Sequence, residues 1–98
     1  MDNAKRYFLN ILKEIIQSID KTSVELNSTI WYYLLYLNGL VRSVEEGVTP
    51  ETSDKLLKKL TRLYIDNETN CKILADTYQE VRMGYFLYKK HSVNEESA

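Results

Sequence analysis

From Leu57 to Tyr88 the chain repeats a spacing of three and four residues without a slip: Leu57, Leu60, Tyr64, Asn67, Cys71, Leu74, Tyr78, Val81, Tyr85 and Tyr88. Only a helix stacks residues spaced in this way on one face, because each residue turns about 100° from the last. Every member except Asn67 is apolar or aromatic, so the stripe marks a buried side. Read straight through, it describes one helix of about forty residues, roughly 60 Å long at 1.5 Å per residue. Across its middle lies Asp66-Asn67-Glu68-Thr69-Asn70, in which only glutamate is a strong helix former. Helices of forty residues are also uncommon in globular domains. A break is therefore expected there, with Asn67 as the cap of a fourth helix. Continuity is the alternative, giving three helices with one long C-terminal helix in a dimer.

The N-terminal half has the same character. Phe8, Leu12, Ile15 and Ile19 form one stripe, flanked by Ile11 and Ile16, and Asp20-Lys21 interrupts it. Thr22-Ser23-Val24-Glu25 fits a capping box, in which a hydroxyl and a carboxylate satisfy free backbone amides, so a second helix is expected from near Ser23. Its stripe reads Ile30, Leu34, Leu37, Val41 and Val44, widened by Tyr33 and Leu40. Gly47 suits a helix stop, and Thr49-Pro50-Glu51 supplies a cap, a proline at the first helical position and an acid at the positive end of the helix dipole. The short Gly47-Val48-Thr49 connection makes the flanking helices antiparallel neighbours.

The fold class is thus all-α, a small antiparallel four-helix bundle, with helices near 4–20, 23–46, 50–66 and 68–90. Residues 1–91 make a single helical domain and 92–98 a loose tail. One proline and three glycines in 98 residues leave little material for strands joined by tight turns. An apolar content of 44% is too high for a disordered chain. No apolar run approaches the roughly 20 residues that span a bilayer, and the first residues carry no signal-peptide pattern, so a cytoplasmic location is expected. Asn27-Ser28-Thr29 and Asn67-Glu68-Thr69 match the sugar-acceptor pattern, which has no use in that setting.

Catalysis finds little support. His91 is the only histidine and sits at the edge of the tail, and Cys71 is the only cysteine. A histidine-pair metal site, a Ser-His-Asp triad and a disulfide framework are all set aside, and no cofactor or metal is expected. No glycine-rich phosphate loop occurs. Glu14, Asp54, Asp76 and Glu80 fall mainly on polar faces. Cys71 reads as a small residue of the buried stripe, with a reactive thiol as the alternative.

Two constellations could bind something. Lys55, Lys58, Lys59 and Arg62 follow one face of the third helix, away from Leu57, Leu60 and Tyr64. They could hold an acidic partner or a nucleic-acid backbone. They could equally be a solvated face, partly neutralised by i,i+4 pairs Glu51–Lys55, Asp54–Lys58 and Arg62–Asp66. The net charge of −1 supplies no global field toward polyanions. The second constellation is aromatic. Trp31, Tyr32, Tyr33 and Tyr36 cannot all face one core, and a further ring of Met83, Tyr85, Phe86, Leu87 and Tyr88 surrounds the fourth helix. Trp31, Tyr32, Tyr36, Tyr85, Phe86 and Tyr88 are expected to form a self-association or partner surface. The alternative is a core of flat-packed tyrosines with hydroxyls at the rim.

In size, acidity and helix layout the chain resembles small bacterial immunity proteins that neutralise bacteriocins. It equally resembles small phage- or plasmid-encoded inhibitors of host machinery. The likeness is one of architecture over the whole chain, carried by no diagnostic residue. Together these features point to a non-enzymatic helical protein-interaction module, a small regulator, inhibitor or immunity-type protein. Its partner is expected to be another protein or its own copy, as a homodimer. The alternative is a nucleic-acid-binding or nucleoprotein-complex subunit using the basic stripe. A tyrosine-and-lysine surface could also stack single-stranded bases, which needs the aromatics and the basic stripe on one face.

Overall fold

The computed structural model describes residues 3–47 and 50–97. Within them lie four α-helices, α1 (Asn3–Ser18), α2 (Thr29–Glu46), α3 (Pro50–Asn67) and α4 (Lys72–Ser97), with a 3-10 turn at Lys21–Ser23. In α1 the expected stripe is buried: Phe8, Ile11, Leu12 and Ile15, with Ile19 joining them just past the helix end.

The second helix starts at Thr29 and not near Ser23. Asp20 explains the difference. Its carboxylate accepts both the backbone amide of Thr22, at 3.0 Å, and the Thr22 hydroxyl, at 2.7 Å. These bonds hold the Asp20 carboxyl below the usual range. The Ser23 hydroxyl donates backward to the Asp20 carbonyl. Both hydroxyls of the expected capping box are therefore engaged upstream, and the chain makes a 3-10 turn instead. Asn27 then takes a left-handed conformation with φ 65°, which asparagine tolerates. Ser28 is the actual cap, its hydroxyl oxygen accepting the Trp31 amide at 3.2 Å.

Gly47 ends α2 as its sequence suggests, at φ 67°, with its amide directed to the carbonyls of Ser43 and Val44. Pro50 opens α3 and Glu51 lies in its first turn. Val48 and the expected cap Thr49 lie outside the described residues. The stripe from Leu57 to Tyr88 breaks where its polar run falls. The Asn67 carbonyl accepts the amides of Asn70 and Cys71, both at 3.0 Å, and α4 begins at Lys72. Asn67 thus closes one helix and does not cap the next. Its side chain donates to the Leu63 carbonyl and accepts the Thr29 hydroxyl at 3.2 Å, tying the end of α3 to the start of α2. The α4 helix runs on to Ser97, through residues read as a loose tail from Ser92; Ala98 lies outside the described residues.

Helix α1 packs on α2 and α4, and α3 packs on the same two. Directions follow from particular contacts. Thr29 meets Asn67 while Gly39 faces Leu56, so α2 and α3 are antiparallel. Thr61 bonds Tyr78 while Asp54 reaches Tyr85 and Lys89, so α3 and α4 are antiparallel too. Phe8 packs on Tyr85 and Tyr88 while Ile11 meets Gly84, and α1 opposes α4. The result is a four-helix bundle. A Cβ on Gly84 would lie 3.0 Å from Phe8 Cδ1 and 3.1 Å from Ile11 Cδ1, so glycine is what lets α1 sit this close.

In α2 the fully buried line is Tyr33, Leu37, Leu40 and Val44, while Ile30, Leu34 and Val41 are half-buried. The stripe's centre therefore lies toward Tyr33. That phenol can be buried because it is bonded: Thr77 donates its proton to the Ile73 carbonyl and accepts from the Tyr33 hydroxyl. Burial pushes the Tyr33 phenol up to about 12. No buried side-chain nitrogen or oxygen among the described residues lacks a partner.

Candidate interaction surface

Gly39 brings α2 and α3 together: a Cβ there would lie 3.2 Å and 3.3 Å from the two methyl carbons of Leu56. On the outer side of this pair opens a groove of about 230 Å³. From α2 it is lined by Tyr32 and Tyr36, and from α3 by Lys59, Arg62, Leu63 and Asp66. Tyr32 and Tyr36 are half-buried with ring centres 6.2 Å apart, and Trp31 stands edge-on to Tyr32 at 5.0 Å. Leu35 in the same stretch is exposed. The aromatic cluster of α2 and the basic stripe of α3 thus share a face, a relation that no local pattern of either helix contains. A second groove, of about 330 Å³, adds Lys58, Thr61 and Ile65 beside Arg62 and Asp66.

The stripe is less neutralised than its spacing suggests. Lys55, Lys58, Lys59 and Arg62 are all exposed, and among the described residues none forms an ion pair within 4.0 Å. Arg62 and Asp66 line one groove without pairing, in the cation-first order that is the poorer one on a helix. Asp54, expected on a polar face beside Lys58, turns instead to α4. There it accepts the Tyr85 hydroxyl and the Lys89 ammonium, the latter at 3.0 and 3.1 Å. The Tyr85 bond first, then Lys89, holds the Asp54 carboxyl below its ordinary range; Lys58 adds a weaker through-space influence.

The six aromatics named from sequence do not form one surface. Tyr32 and Tyr36 line the α2–α3 groove, and Trp31 stands against Tyr32. Tyr85 is 1% exposed, in the core between Phe8 and Asp54, and offers nothing to a partner. Its phenol is raised above the usual range, first by burial and then by its bond to Asp54. Tyr88 is half-buried and stacks on Phe8 at 5.8 Å. Phe86 is exposed, with the Arg82 guanidinium 5.2 Å from its ring centre. With Met83, Leu87 and Tyr7 of α1, it makes a second set of exposed large side chains on the α1–α4 half of the bundle. Three residues of this region have little sequence signal: Leu63 in the groove lining, Gly39 at the α2–α3 contact and Leu35 exposed beside the rings. Their only sequence signal is an apolar or small residue beside the aromatic cluster or the basic stripe.

Cys71 is a buried free thiol at the start of α4, beside a depression of about 500 Å³ formed with Val24, Ile30 and Ile73. His91 is exposed. Among the described residues, no three His, Cys, Asp or Glu side chains gather where they could hold a metal ion, and no helix is long and apolar enough to cross a membrane. Comparison with known protein families, with curated proteins and with solved structures finds no match.

Proposed function

We propose that this chain is a non-enzymatic protein-interaction module that docks a partner on the outer face of α2 and α3. One observation carries this: Tyr32 and Tyr36 line the same groove as Lys59 and Arg62, whose cations have no ion partner among the described residues. Aromatic rings and arginine concentrate in protein interfaces because they give large contact area, planar hydrogen bonding and low conformational loss. Such a module would act as a small regulator, inhibitor or immunity-type protein, by occupying a surface on its target. A cytoplasmic setting fits the free Cys71 thiol. Self-association belongs to the opposite half of the bundle, where Tyr7, Met83, Phe86 and Leu87 are exposed.

The test is affinity capture from the cells that encode the chain, with two matched variants. Lys59→Glu/Arg62→Glu alters only exposed positions and should lose the partner. Met83→Ser/Leu87→Ser, on α4, should keep it. Equal recovery by wild type and the charge-reversed variant would refute the assignment of the face.

The same juxtaposition supports a second possibility, binding of single-stranded nucleic acid with bases on the tyrosines and phosphates on Lys55, Lys58, Lys59 and Arg62. Its signature is affinity falling with salt at a log–log slope of about −0.7 per contacted phosphate. No shift of single- or double-stranded DNA or RNA at low salt removes it.

A further inference from the structure

Resting on the α2–α3 docking surface proposed above, we infer that its occupant is an acidic amphipathic helix of a partner protein. It lays apolar side chains on Tyr32, Tyr36 and Leu63, and sets carboxylates one turn apart over Lys55, Lys59 and Arg62. The shape of the charge row selects this occupant. From Lys55 to Arg62 the row is about 10 Å long at 1.5 Å per residue, which is two helical turns. Acids bound it at both ends: Glu51 one turn before Lys55, and Asp66 one turn after Arg62, both exposed. A nucleic-acid strand carries a charge at every nucleotide and would run onto one of these carboxylates at each end. A peptide places its charges singly. It can match a short basic row and answer Asp66 with a cation of its own.

The spacing within the row is itself helical. Lys55, Lys59 and Arg62 rise by about 6 and 4.5 Å along α3, close to the 5.4 Å pitch at which a second helix lying alongside repeats its side chains. Beside Lys59 and Arg62 the groove is lined by Tyr32, Tyr36 and Leu63. An amphipathic helix set in such a groove buries its apolar face and leaves its acids at the cationic rim. Charge complementarity at the rim sets register and orientation more than it sets total affinity. A second copy of this chain is a poor occupant, because each copy would bring the same exposed cations to the interface and oppose like charges.

The probe is a displayed library of helical peptides randomised over two turns and selected on the full-length chain. Binding is then read through Trp31, the only tryptophan, which stands against Tyr32. The selected peptides are expected to carry an apolar face and acids one turn apart. Lys59→Glu/Arg62→Glu should weaken them about tenfold, and peptides with those acids exchanged for lysine should bind the reversed variant in their place. Selected peptides with no acidic bias, or binding unmoved by the charge reversal, would overturn the inference. A 12-nucleotide oligothymidylate that perturbs Trp31 where the peptides do not would also overturn it, while keeping α2–α3 as the docking face. Peptides lost on Met83→Asp/Leu87→Asp but kept by Lys59→Glu/Arg62→Glu would remove the face as well.

Discussion

Tyr85→Phe should lower the stability of the bundle at neutral pH and do much less in acid. The phenol is buried to 1% and donates to Asp54, whose carboxylate also holds Lys89 of α4. Removing only the hydroxyl preserves the ring's packing on Phe8 and opens almost no cavity. What goes is a hydrogen bond to a charged acceptor, worth about 1.5–3 kcal/mol when well buried. The Asp54 side chain keeps 34% of its exposure, so water recovers part of that bond and the lower end applies. A loss of about 1–2 kcal/mol corresponds to roughly 5–10 °C in Tm for a domain of this size. The Asp54 carboxyl is held below its ordinary value, first by the Tyr85 bond and then by Lys89. A lowered native value means stability that is present above the unfolded value near 3.8 and lost as pH falls through the native one. Thermal melts followed by circular dichroism at pH 7 and pH 2.5 check this. The gap between wild type and Tyr85→Phe should be full at pH 7 and largely closed at pH 2.5. Equal gaps at both pH values, or no gap at pH 7, would refute the Asp54 link between α3 and α4.

Other outcomes follow from the same contacts. The Tyr33 phenol is raised to about 12, so stability should hold up to pH 10 and then fall as the unfolded chain loses its proton first, by about 1.4 kcal/mol per pH unit from this group. Urea unfolding at pH 9 to 11.5 should show a shallower decline for Tyr33→Phe than for wild type. Ser28→Ala should cost about 1 kcal/mol by removing the α2 cap, whereas Glu25→Ala, in the unused capping box, should stay within about 0.5 kcal/mol by the same urea titration. For self-association, light scattering at high micromolar concentration should give a dimer mass that Met83→Asp/Leu87→Asp returns to monomer. A monomer in the wild type would leave the exposed α4 side chains without that role.

Much of the bundle was legible because its determinants are local. Gly47 needs a left-handed conformation that glycine adopts freely, and the polar run from Asp66 to Asn70 is a poor helix wherever it occurs. The three-and-four spacing survives this break because Asn67 and Cys71 stand on either side of a three-residue turn, both at least half-buried. What escaped was settled by competition. The hydroxyls of Thr22 and Ser23 could serve a cap or Asp20, and Asp20 took them, moving the start of α2 by about one and a half turns. Asp54 could pair with Lys58 one turn away or with Lys89 across the bundle. Burial beside Tyr85 favours the distant partner. Tyr85 and Tyr88 share a stripe but differ in depth, which depends on Gly84 drawing α1 onto α4. The meeting of Tyr32 and Tyr36 with Lys59 and Arg62 depends on the antiparallel register of α2 on α3, and neither helix alone encodes it.

The central claim is that partners dock on α2 and α3, and amide chemical shifts test it most directly. In a 15N-labelled sample titrated with the partner recovered from cells, the largest shifts should fall at Trp31 to Gly39 and Lys55 to Asp66. Shifts concentrated instead at Tyr7, Met83, Phe86 and Leu87 would contradict it.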